Sequence, residues 1–99
     1  MHYLTFDCSE GTDGVTTLEA LASTPAHQHA AVVAEAQQVL DWAWQQFPDT
    51  HGTSDEGMDW DHDLQLTVEG ATWHTVTLTL TGSARFVAAF GRRFGGLLA

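Results

Sequence analysis

Between residues 63 and 81, apolar and polar side chains alternate on both sides of a short turn. Leu64, Leu66 and Val68 are interleaved with Asp63, Gln65, Thr67 and Glu69. Glu69-Gly70-Ala71 then reverses the chain, and Val76, Leu78 and Leu80 are interleaved with Thr75, Thr77 and Thr79, with Thr81 following. A period of two is the signature of a β-hairpin with one apolar and one Thr-rich side. Such a hairpin is not stable alone in water, so the rest of the chain has to cover its apolar side.

Two amphipathic helices are available as covers. Thr24 as cap and Pro25 at the first helical position predict a helix over residues 25–47, which Pro48 and Asp49 end. At 100° per residue, His29, Val32, Val33, Ala36, Leu40, Ala43, Trp44 and Phe47 fall within an arc of roughly 120°, the expected core stripe. Trp42 sits about 140° from the centre of that stripe, on a side shared with Ala31, Glu35 and Gln38. Ser83 is the expected cap of a second helix carrying Phe86, Val87, Phe90, Phe94 and Leu97 on one face, and Gly95-Gly96 stops it.

The N-terminal segment has the period of two again. Leu4, Phe6 and Cys8 lie on one side of a predicted strand over residues 3–8, and Tyr3, Thr5 and Asp7 on the other. Gly11, Asp13 and Gly14 turn the chain, and residues 15–22 return as a second arm, although Leu18-Glu19-Ala20-Leu21-Ala22 also suits a helix. The predicted fold is therefore α+β with the order ββαββα: a four-stranded antiparallel sheet with two helices packed on one face, a two-layer sandwich. One domain is expected over residues 1–99, with hairpin-helix halves at 1–48 and 59–96 joined by a polar loop over 49–58. A faint echo of Thr17-Leu18 in Thr77-Leu78 accompanies that plan.

The chain of 99 residues holds no Lys. Its three Arg, Arg85, Arg92 and Arg93, face 13 Asp and Glu for a net charge of -10. Nucleic acid and anionic membranes are excluded as expected partners, because both need clustered cations. Apolar residues make up 43% and charged residues 16%, a globular balance without a run long enough to span a bilayer. Cys8 is the one cysteine, so no intrachain disulfide is expected. With no signal-peptide pattern at the start, a reducing cytoplasm is the expected compartment.

Asp59-Trp60-Asp61-His62-Asp63 is the densest set of potential ligands. A calcium loop of the EF-hand kind fails, since its sixth and twelfth positions would be Leu64 and Gly70. A transition ion on Asp59, Asp61 and His62 needs a further histidine, His27, His29, His51 or His74, brought in by the fold; the competing reading is an acidic strand edge that keeps the hairpin soluble. His29 and His74 fall on core-facing sides and are expected to be half-buried packing residues.

Absence of Lys excludes a P-loop or a Schiff base, there is no Gly-x-Ser-x-Gly, and Cys8 on the apolar strand side is expected to be buried. Trp42 outside its helix stripe, with Trp73, Tyr3, Thr75 and Thr77 on the outward side of the sheet, marks a candidate interface. Arg85 and Arg92 share one side of the last helix and are expected to pair with the chain's own carboxylates. The expected function is a small acidic interaction or regulatory module, non-catalytic, cofactor-free and homodimeric, with protein as partner. The alternatives are an acidic inhibitor that mimics nucleic acid at a basic protein site, and a metal-dependent enzyme built on residues 59–63.

Overall fold

The structure, a computed structural model, describes residues 3–70 and 72–98, with the backbone alone for Ser54. Ala71 of the expected turn lies outside the described residues. In chain order the elements are β1 (Phe6–Glu10), β2 (Thr16–Pro25), a 3-10 turn (Ala26–Gln28), α1 (His29–Gln46), a second 3-10 turn (Ser54–Glu56), β3 (Trp60–Glu69), β4 (Trp73–Gly82), α2 (Ala84–Phe94) and a last 3-10 turn (Gly95–Leu97). This is the predicted ββαββα order, and residues 18–22 are strand. The antiparallel sheet runs β1-β2-β4-β3, so the two hairpins meet through their second strands, paired from Thr16↔Gly82 to Pro25↔Trp73.

Leu18, Ala20 and Ala22 of β2 and Val76, Leu78 and Leu80 of β4 form the floor of the core, and both helices lie over it. Phe86 and Phe90 of α2 and Val32, Ala36, Val39 and Ala43 of α1 are buried against that floor. Each Phe buried in this way contributes about 2–3 kcal/mol of transfer free energy. Ser83 caps α2 as predicted, its Oγ accepting from the Phe86 amide at 3.3 Å. Among the described residues no helix is long and apolar enough to cross a membrane.

Several sequence expectations shift. Helix α1 begins at His29 rather than Pro25, because ten residues of β2 pair with β4 and Pro25, which has no amide to lose, is tolerated as the terminal strand residue. Strand β1 begins at Phe6 rather than Tyr3. Tyr3 is half-buried against the core, and Cys8 is exposed because it sits on the edge strand away from the helices. Leu66 and Val68 are exposed on the helix-covered side of β3, which is also an edge strand.

The last shift concerns Trp42, which faces α2 rather than outward. Its ring lies 5.7, 6.0 and 5.3 Å from those of Phe86, Phe90 and Phe94. The buried residues of α1 centre near Val32, Val39 and Ala43, an arc rotated by roughly 50° from the predicted stripe. That rotation buries Glu35 and leaves Trp44 42% exposed. A helix with two neighbours needs a wider apolar arc than one packed on a sheet alone, and α2 occupies the Trp42 flank.

Candidate metal centre

Phe47 and Pro48 stop α1, and residues 48–59 must then carry the chain to the start of β3. The root of this loop is fixed by Trp60, which is buried, donates from Nε1 to the Phe47 carbonyl at 3.0 Å and stacks on Phe86 with an interplanar angle of 7°. The loop then runs back along the outer edge of β3. His51 pairs with Trp60 as a parallel bridge, and the Gly52 amide donates to the Trp60 carbonyl at 2.8 Å. Gly52 has a φ of 153°, and a Cβ there would lie 2.9 Å from Met58 Cγ, so the turn that aims His51 needs glycine.

This path brings His51 to Asp61 and His62. His51 Nε2 is 2.9 Å from His62 Nδ1 and 3.1 Å from Asp61 Oδ1, and one ligand atom from each of the three residues lies within 4.8 Å of the others. Asp61 Oδ1 also accepts from the His62 amide at 2.8 Å, which turns the carboxylate back toward the imidazole. Side-chain exposures of 24% for His51 and 37% for Asp61 leave the cluster open on one side. Trp44 and Trp60 wall the other side, their ring centroids 4.4 and 4.5 Å from that of His51.

The three atoms form a donor set able to hold a cation. A neutral imidazole presents one N–H and one lone pair, so the single atom His51 Nε2 serves both neighbours only by sharing one hydrogen between them. A divalent ion needs no hydrogen to be shared, since each of the three atoms offers it a lone pair. With metal–ligand bonds of about 2.0–2.1 Å, separations of 2.9 and 3.1 Å correspond to angles of roughly 90–100° at the ion. Two imidazoles and one carboxylate are a three-ligand set of the kind that suits late first-row metals such as zinc or iron and leaves further positions for water or a small ligand.

Asp59, grouped with Asp61 and His62 on sequence, is engaged elsewhere. Its Oδ1 accepts from Ser83 Oγ at 2.8 Å, its Oδ2 pairs with Arg85 at 3.2 Å, and its carbonyl accepts from the Ser83 amide. Asp59 therefore ties the start of β3 to the start of α2. Arg85 also lies over the Phe47 ring, Arg93 over that of Phe94, and Arg92 is exposed. His29 and His74 are half-buried with ring centroids 4.5 Å apart, far along the sheet from His51.

Of the expected interface residues, Trp73, Thr75 and Thr77 share the open side of the sheet, whereas Trp42 and Tyr3 pack toward the core. Leu21, absent from the expected set, is also on the open side, at 59% exposure, two rows along the sheet from Trp73 at 48%. Its position between Ala20 and Ala22 on a period-two strand was the available signal. Compared with known protein families, curated proteins and solved structures, the chain matches none.

Proposed function

We propose that this protein is a metal-binding module that holds one late first-row divalent ion on His51, Asp61 and His62. The observation that carries the reading is the convergence of three ligand atoms within 4.8 Å of one another, from two segments that meet only in the folded chain. Half-exposure and the open coordination positions suit an exchangeable ion that also takes water or a small ligand, in contrast to a closed four-ligand structural site. Protein, including other copies of this chain, is the macromolecular class we infer for its partner, and a reducing cytoplasm is its compartment. The net charge of -10 and the exposed Cys8 thiol support these two inferences.

The test is zinc titration of untagged, chelator-treated protein, followed by calorimetry and thermal melting. One ion per chain is expected, and zinc at 100 times its Kd stabilises the fold by about 2.7 kcal/mol, a rise in Tm of roughly 10–20 °C. His51→Ala and His62→Ala remove this rise, while Asp59→Asn retains the one-to-one stoichiometry. Cobalt in place of zinc quenches tryptophan fluorescence, because the Trp44 and Trp60 rings lie 4.4 and 4.5 Å from that of His51. Zinc stabilisation that survives both histidine substitutions refutes the assignment.

A further inference from the structure

The open side of the sheet is divided into rows by strand register, and charge divides those rows unevenly. At one end lie Ser9, Thr17, Thr81 and Asp61, then Asp7, Glu19, Thr79 and Asp63. The next rows are Leu21-Thr77-Gln65 and Ser23-Thr75-Thr67, both uncharged, and the last is Pro25-Trp73-Glu69. Four carboxylates therefore occupy one half. The other half holds a single one and both exposed large apolar side chains of this face, Leu21 and Trp73.

We infer that this face binds a second copy of the chain, with the two-fold axis lying across the strands at the Ser23-Thr75-Thr67 row. Rotation about that axis keeps each strand over its own copy and reverses its direction. The Leu21-Thr77-Gln65 row then lies level with the partner's Pro25-Trp73-Glu69 row, and the reverse by symmetry. Leu21 and Trp73 each gain an apolar neighbour, Gln65 offers its amide to the Glu69 carboxylate opposite, and the hydroxyl row faces itself. Both acidic rows overhang the partner's sheet end. An axis along the strands instead stacks the whole Asp7-Glu19-Thr79-Asp63 row on the same row of the partner, which like-charge repulsion disfavours.

The dimensions set the strength. Three rows about 6.7 Å apart on three strands about 4.8 Å apart give roughly 300–400 Å² per copy, well under the roughly 800 Å² of a standard interface. The dimer is therefore weak and concentration-dependent. With -10 on each copy, association strengthens as salt screens the repulsion, whereas an acidic inhibitor docking on a basic protein weakens in salt.

Sedimentation from about 20 µM to 1 mM, in about 0.05 and 0.5 M salt, tests this, a range chosen for an interface of micromolar or weaker affinity. The dimer fraction is expected to rise with concentration and with salt. Leu21→Glu and Trp73→Glu should abolish it, and Leu66→Glu, equally exposed on the opposite side of the sheet, should not. Thr75→Cys in a Cys8→Ser background should be captured as a covalent dimer by a short bis-maleimide crosslinker, because the axis brings this position opposite its own copy across sheets about 10 Å apart; Glu19→Cys should not. The inference rests on protein as the partner class but not on the metal, whose stoichiometry is read on the same samples. Monomer at every concentration, a dimer indifferent to both Leu21→Glu and Trp73→Glu, loss through Leu66→Glu instead, or weakening in salt would each overturn it.

Discussion

Replacement of Glu35 tests how the N-terminal segment is held. Glu35 is 8% exposed in the middle of α1, and its carboxylate accepts from the Tyr3 amide at 3.0 Å and 3.3 Å and from the Leu4 amide at 3.2 Å. Bonds to a charged acceptor contribute about 1.5–3 kcal/mol each, and a buried amide left without an acceptor incurs the full desolvation penalty. Two such amides give about 3–6 kcal/mol in gross. Release of the carboxylate from burial, and water reaching the half-buried Tyr3 amide, offset part of it, leaving about 2–4 kcal/mol lost in Glu35→Ala. Glu35→Gln keeps the shape and one carbonyl oxygen where Oε1 now serves both amides, so its cost is about 1 kcal/mol. Urea unfolding followed by tryptophan fluorescence measures both, and amide exchange should show Tyr3 and Leu4 deprotected first in the Ala variant. Glu35→Ala within about 0.5 kcal/mol of the parent, in the range of an ordinary surface substitution, refutes the argument.

Three further outcomes follow from local geometry. Ser83→Ala removes the α2 cap and the bond to Asp59 Oδ1 together, so it should cost about 1–2 kcal/mol in urea unfolding, more than Arg85→Ala at an exposed ion pair, about 0–1 kcal/mol. Gly82→Ala places a Cβ 2.5 Å from Phe86 Cδ2 in the core, and a loss of about 1–3 kcal/mol is expected by thermal melting. Gly52→Ala disturbs the turn that aims His51, so zinc affinity measured by calorimetry should fall at least tenfold while the unliganded fold loses only about 1–2 kcal/mol.

What the sequence disclosed about the fold follows from which signals are local. Alternation over residues 63–81 and the Ser83 cap are complete within a few residues, and both elements stand where expected. Thr24-Pro25 is an equally local signal, yet it lost to pairing of β2 with β4, a contact across roughly fifty residues that no local pattern reports. Trp42 was misplaced for a related reason. A helical wheel shows which residues share a side, but the width of the buried arc depends on how many neighbours the helix has, and α2 was the neighbour left out of that count.

The metal cluster shows the limit of periodicity most directly. Alternation sends Asp61 and His62 to opposite sides of β3 and groups Asp59 with Asp61, the reverse of what the structure brings together. The reason is the strand's place at the sheet edge. There a short carboxylate can fold around the backbone to its neighbour's amide, and the unpaired side of the strand is free to receive the returning loop with His51. Asp59, one step earlier, is drawn to the N-terminus of α2, where Ser83 and Arg85 supply donors. Spacing rules describe a strand paired on both sides. Where one side is open, the partner that arrives decides which ligands converge, so His51 was legible as one of four candidate histidines but not as the one that completes the set.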